Sequence, residues 1–259
     1  MSRFVNLEFE GDSDHDFQSG EKAPVKDESY YLAAARAAFE NGHFEPALRC
    51  YSKVLEYNPQ NAAAWTGQVR MLIELGEFRE AKLWADKALE RFPHEPELLA
   101  AKAVALARTG DLPGAISFSD AAIEERGDTP YVWLARGDVL LARSETRADY
   151  CFEKALLLAP RDWFIAWLAA RIRLYYEQFV LALKCMQKAV ELNPGHFLLW
   201  LEQGRCQQAL NLVGAAENSF RQARQLNKDC SEASLALISV SQTGLFKRLR
   251  GRLRQLFQR

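Results

Sequence analysis

The 259-residue chain has no run of eighteen apolar residues, no two cysteines at CxxC spacing and only four histidines, and each shortage removes a class of chemistry. Without a long apolar run, no membrane-spanning helix is expected. The N-terminal stretch is acidic where a secretory signal would need an apolar core, so the expected compartment is the cytoplasm. Cys50, Cys151, Cys185, Cys206 and Cys230 are odd in number and far apart, and they read as reduced packing residues rather than as disulfides or metal ligands. His15, His43, His94 and His196 fall in the N-terminal segment and in turns, with no second ligand at a metal-binding spacing, so no metal site is expected. A phosphate-cradling GxxxxGKS or GxxxxGKT loop, an HExxH pair and a GxSxG elbow are all missing. Carboxylates such as Asp120, Glu124 and Glu125 sit near helix ends and outer faces. No catalytic residue and no cofactor is assigned, and the reading is that of a protein that is not an enzyme.

The charge balance excludes more. A formal net charge of -1 and a pI near 6.5 give the whole molecule no general attraction to nucleic acid. The charge is nevertheless polarised along the chain. Residues 1–30 carry Glu8, Glu10, Asp12, Asp14, Asp16, Glu21, Asp27 and Glu28 against Arg3, Lys22 and Lys26, while nothing after Glu232 is acidic.

What the chain does have is a repeat. Ala47, Ala81, Ala115, Ala148, Ala182 and Ala216 are 34, 34, 33, 34 and 34 residues apart. Four residues after each comes Tyr51, Ala85, Ser119, Phe152, Met186 or Phe220, and three later Val54, Ala88, Ala122, Ala155, Ala189 or Ala223. These steps keep one face of a helix turned inward. Pro59, Pro93, Pro160 and Pro194 then stop the helix, because proline lacks a backbone donor and clashes with the preceding turn. Gly127 and Lys228 stand at that point in the third and sixth copies. An earlier helix in each unit carries Ala35, Val69, Ala103, Gly137, Ala170 or Gly204, mostly small residues that let two helices approach. Asn41-Gly42, Leu75-Gly76 and Thr109-Gly110 supply turns between the two helices, followed by Phe44, Phe78 and Leu112 as plugs.

In this pattern of Trp65, Trp133 and Trp200 with small residues, turn glycines and prolines, the chain resembles the tetratricopeptide repeat family. The resemblance covers about residues 28–230. It implies an all-α fold, a right-handed helical-repeat superhelix of about six repeats (28–61, 62–95, 96–129, 130–162, 163–196 and 197–230) plus a C-terminal capping helix pair in 231–259. It also implies that the first helices line a concave groove that holds a segment of another protein. Carried over by register, that groove contains Arg36, Phe39, Arg70, Ile73, Arg108, Tyr131, Trp167, Arg171, Tyr175 and Arg205. Arg36, Arg70, Arg171 and Arg205 share one equivalent position, and a row of planar guanidinium forks suits a partly acidic, extended or helical partner. The pattern used by co-chaperones that clamp the carboxylate tail of heat-shock proteins is not matched, since Leu32, Arg36, Thr66 and Ala100 occupy its neighbourhood.

The two ends are read separately. Residues 1–27 are expected to form an acidic, disordered tail, within which Val5, Leu7 and Phe9 alternate with polar residues in the manner of an extended docking motif. Residues 231–241 have the length of another first helix. Beyond a break at Gln242, Thr243 and Gly244, residues 245–259 combine an apolar stripe of Phe246, Leu249, Leu253 and Leu256 with Lys247, Arg248, Arg250, Arg252 and Arg254. Such a basic amphipathic helix either caps the array or also binds an anionic membrane surface or an acidic partner. The function expected is therefore a protein-binding adaptor, the alternative being a tether peripheral to a membrane. Self-association through the oppositely charged ends is possible in this reading, and nucleic acid is an improbable partner.

Overall fold

The computed structural model describes residues 26–241. Among them there is no strand, and the helices come in consecutive pairs. The pairs are α1 (Glu28–Glu40) with α2 (Phe44–Tyr57), α3 (Ala62–Glu74) with α4 (Phe78–Arg91), and α5 (Pro96–Thr109) with α6 (Leu112–Glu124). They continue as α7 (Pro130–Ala142) with α8 (Ala148–Leu158), α9 (Trp163–Tyr175) with α10 (Phe179–Leu192), and α11 (Phe197–Ala209) with α12 (Val213–Leu226). Residues 231–241 form one more helix. The fold is the all-α helical repeat that the periodicity implies. The docking motif at Val5, Leu7 and Phe9 and the basic segment with Lys247, Arg248, Arg250, Arg252 and Arg254 lie outside the described residues.

Two compact units divide the chain, residues 1–155 and residues 156–259. In the first, α1 packs on α2, α3 on α4 and α5 on α6, while α3, α5 and α7 lie against one another as a layer of first helices. In the second, α9 packs on α10, α10 on α11 and α11 on α12. The six periodic alanines are all buried, none more than 1% exposed, so the spacing that reveals the repeat also marks the helix contacts. Where the second helix carries a large aromatic at the next inward position, the facing first helix gives way. A Cβ on Gly137 would meet the Phe152 ring at 2.9 Å, and one on Gly204 would meet the Phe220 ring at 2.5 Å. Tyr51 instead finds its clearance on the following pair, where a Cβ on Gly67 would meet its ring at 2.5 Å.

The turn inside each pair is built identically six times. In every copy a residue closing the first helix has a left-handed backbone, the C-cap Gly110 in α5 and the residue after the C-cap elsewhere: Gly42, Gly76, Gly110, Ser144, Glu177 and Asn211, with φ between 56° and 91°. Its N–H donates to the carbonyl three residues back, and the next N–H donates five residues back, as in Gly110 to Ala107 and Asp111 to Leu106, or Glu177 to Leu174 and Gln178 to Arg173. This pair of bonds satisfies the last carbonyls of the helix. The glycines of the first three turns announce it; in the last three, side-chain-bearing residues adopt the same backbone.

Between pairs, the repeat tryptophan fixes the turn. Trp65 Nε1 donates to the Pro59 carbonyl at 2.9 Å and Trp200 Nε1 to the Pro194 carbonyl at 2.8 Å. The third junction has no proline, and Trp133 Nε1 bonds Asp128 Oδ1 instead, at 2.8 Å. There α6 ends through Arg126 at φ 61° and Gly127, where any Cβ would fall 2.2 Å from the Ala122 carbonyl oxygen. Glycine stands in the proline position because the chain passes too close to α6 for a side chain.

Candidate protein-binding face

Helices α1, α3, α5 and α7 present the first-helix face of the first unit, and α9 and α11 that of the second. Because inward positions on these helices recur every three or four residues, the register assigns Arg36, Arg70, Val104 and Asp138 to one ribbon of the first unit, with Arg108 one turn beyond Val104, and Arg171 and Arg205 to the equivalent ribbon of the second. The side chains along these ribbons have very different surroundings.

Arg36 is exposed and pairs with Glu40 one turn along α1, Nε to Oε1 2.9 Å. Arg108 is not a groove residue. Its side chain is 6% exposed and grips Asp138 on α7 through two parallel bonds, Nε to Oδ1 at 3.0 Å and Nη2 to Oδ2 at 2.7 Å. Asp138 is itself 2% exposed, so this is a buried bidentate pair joining consecutive first helices. Arg171 is similarly committed. Glu202 on α11 accepts from Arg171 Nη1 at 2.9 Å and from Trp167 Nε1 at 2.6 Å. Trp167 is completely buried, which corrects its expected place on the binding surface: the indole packs inside the second unit and orients the carboxylate that holds Arg171. Arg205 is exposed and bonded to Glu232 of the 231–241 helix.

The apolar groove positions divide in the same way. Phe39 is buried, which corrects its expected exposure, and Ile73 is half-buried against the cluster of Leu99, Ala100, Val104, Ala122, Val132 and Ala135. Both are packing residues because the neighbouring first helix covers them. Leu134, Leu141 and Leu201 are buried as well. Tyr131 is half-buried against the same cluster, and desolvation holds its phenol well above the ordinary tyrosine range. Tyr175 is about half exposed, in edge contact with Tyr176.

Arg70 differs from all of these. Its guanidinium carbon lies 3.8 Å from the centre of the Tyr131 ring and 5.2 Å from that of Phe39. Among the described residues no carboxylate bonds it. Such an arrangement was not visible from register alone, because it joins α1, α3 and α7 across three repeats.

Burial pushes the Cys151 thiol up and the Cys206 thiol up to about 12, so neither supplies a thiolate near neutral pH. Among the described residues there is no cluster of three His, Cys, Asp or Glu side chains able to hold a metal ion, and no helix long and apolar enough to cross a membrane.

Residues 32–96 and 68–130 match the family described as tetratricopeptide repeat. No curated protein matches the chain. Among solved structures it is similar to TTC0263, a thermophilic TPR protein of Thermus thermophilus, at 24% identity over 71% of this chain and 98% of that one, with a TM-score of 0.54. It is also similar to a chain of the APC/C hetero-tetramer Cut9-Hcn1, at 16% identity over 83% of this chain and a TM-score of 0.51. It spans only 43% of that chain's length. Likeness at these identities concerns the fold, and with the six turns and the buried periodic alanines it leads to one assignment: the described residues fold as an all-α helical repeat of the tetratricopeptide kind, with the family match itself confined to residues 32–130.

Proposed function

We propose that the protein is an adaptor that holds a partly acidic segment of another protein against the first-helix face of its first unit. The observation that carries this reading is the surface shared by α1, α3 and α7, where Arg36 and the stacked Arg70 and Tyr131 present cationic and aromatic groups on helices fixed by buried packing. Rigid helices that display such groups bind without a large ordering cost. Arg108 and Trp167 support the reading indirectly, because they lock the scaffold rather than meet a ligand. Arg171 is held by the buried Glu202, so it contributes less to an acidic segment than the register suggests, whereas the Arg36 side chain, though bonded to Glu40, is 76% exposed.

Selection of peptides from a display library of random short sequences on the full chain tests this reading. Enriched peptides should be richer in Asp and Glu than the starting library and should bind the variant carrying Arg36→Glu and Arg70→Glu at least tenfold more weakly, the loss expected for charge-assisted contacts. Enriched peptides that bind this folded variant as tightly as the native chain would remove the first-helix face as the binding site.

A further inference from the structure

Of Arg36, Arg70, Arg108, Arg171 and Arg205, four already have a carboxylate of this chain bonded to them: Glu40, Asp138, Glu202 and Glu232 respectively. Arg70 has two aromatic rings instead. For two of the four, the carboxylate comes from one repeat further on. Arg108 meets Asp138 at an offset of 30 residues and Arg171 meets Glu202 at an offset of 31. From Arg70 the same offsets lead to Ala100 and Ala101, which are buried and offer no acceptor. The acidic groups near Tyr131 include Glu97, Asp138 and Glu74: Thr129 Oγ1 bonds Glu97 at 2.9 Å, Arg108 holds Asp138, and Glu74, one turn along α3 from Arg70, is not bonded to it, unlike Glu40 at the same spacing from Arg36.

A guanidinium stacked on rings uses its faces. Its five N–H donors lie in the plane and point outward from the edge, where a carboxylate takes two of them in parallel. Contact with Tyr131 at 3.8 Å and Phe39 at 5.2 Å restricts the side chain, so less freedom remains to be lost when an acceptor arrives. The half-buried position strengthens the interaction, because an ion pair there is less screened than one in bulk water.

We infer that Arg70 is the point at which this protein reads a carboxylate of its partner segment: the guanidinium, held against Tyr131 and near Phe39, receives one carboxylate on its N–H edge. The inference rests on the adaptor reading and deepens it, assigning the acidic contact to one residue of the arginine row. The carboxylate is that of an Asp or Glu side chain or of a chain terminus.

The test is a double-mutant cycle on the full chain with a library-selected peptide. Each acidic residue of the peptide is changed to its amide, and in a separate arm the peptide C-terminus is amidated. Each form is titrated against the native protein, Arg70→Lys and Arg70→Gln. One carboxylate should show coupling: its removal weakens binding to the native chain about tenfold or more and leaves binding to Arg70→Gln nearly unchanged. Arg70→Lys, which keeps the charge and loses the planar fork, should recover only part of the affinity. The arm in which coupling appears identifies the carboxylate as side-chain or terminal. In the native protein, the Arg70 Nε–Hε resonance should move on addition of the coupled peptide and stay in place with its amide form. That last measurement decides the matter even if Arg70→Gln does not fold. Peptides that bind the first-helix face with no carboxylate coupled to Arg70 would overturn this inference and leave the adaptor reading standing. Failure of any peptide to bind that face would overturn both.

Discussion

Glu177 holds a backbone conformation that glycine would hold without steric cost, at φ 56° in the turn between α9 and α10. A side chain there brings Cβ close to the following carbonyl, a penalty of roughly 1–2 kcal/mol that Gly42, Gly76 and Gly110 escape in the equivalent turns. Glu177→Gly should therefore raise stability by about 0.5–1 kcal/mol, part of the gain being lost to the greater freedom of glycine in the unfolded chain. A urea unfolding midpoint that falls instead would show that the Glu177 side chain contributes more than the strain removes. These turns also show where local sequence reading ends. Glycine at 42, 76 and 110 marks a left-handed residue, whereas Ser144, Glu177 and Asn211 adopt it within the same pair of turn hydrogen bonds without a glycine to mark it. Burial separates the ion pairs just as sharply. Asp138→Ala leaves Arg108 buried without its partner and should cost about 3–5 kcal/mol. Arg36→Ala opens an exposed pair one turn apart and should cost about 0.5 kcal/mol or less. Equal midpoint shifts for the two variants would contradict the assignment of Arg108 to the interior.

At the level of helices, the contact between first and second helix sets the tolerance of each glycine. Gly204→Ala on α11 drives a methyl into the Phe220 ring and should destabilise by about 1–3 kcal/mol, since a packed helix pair has to open to admit it. Gly214→Ala, in the first turn of α12 with nothing within 4 Å of the added carbon, should stabilise by about 0.4–1 kcal/mol. Calorimetry on both variants checks the pair, and a stabilised Gly204→Ala would mean that α11 and α12 are less closely apposed than described. Helix positions and their contacts were legible in the sequence because the alanine period and the 3.6-residue helical period coincide on one face. The candidate site was legible only in part. Register identifies which residues point toward the first-helix face, but it does not reveal that Glu202 and Asp138 reach back from the next repeat to Arg171 and Arg108, or that Trp167 is sealed beneath Glu202. An acidic residue 30 or 31 positions on is the signal for the two arginines held from the next repeat, Arg108 and Arg171; it does not cover Arg36, whose partner Glu40 lies one turn along its own helix. It follows that charge reversal at Arg171 is not a neutral surface change: it sets a carboxylate against Glu202, so loss of binding in that variant would report disturbed packing as readily as a lost contact.

For the whole molecule, the repeat architecture makes stability local, since each helix pair rests mainly on its neighbours. Gly204→Ala should accordingly accelerate amide exchange in α11 and α12 and leave α1 to α4 unchanged. A uniform rise in exchange across all repeats would indicate a single cooperative core. In the first unit, the layer of first helices held in place from behind carries Arg70 against Tyr131, with no carboxylate bonded to it among the described residues. The most direct measurement is the footprint of a library-selected acidic peptide on the isotope-labelled chain, followed by backbone amide shifts. The account predicts shifts concentrated on α1, α3 and α7 around Arg36, Arg70 and Tyr131; shifts concentrated on the second helices α2, α4 and α6 would contradict it.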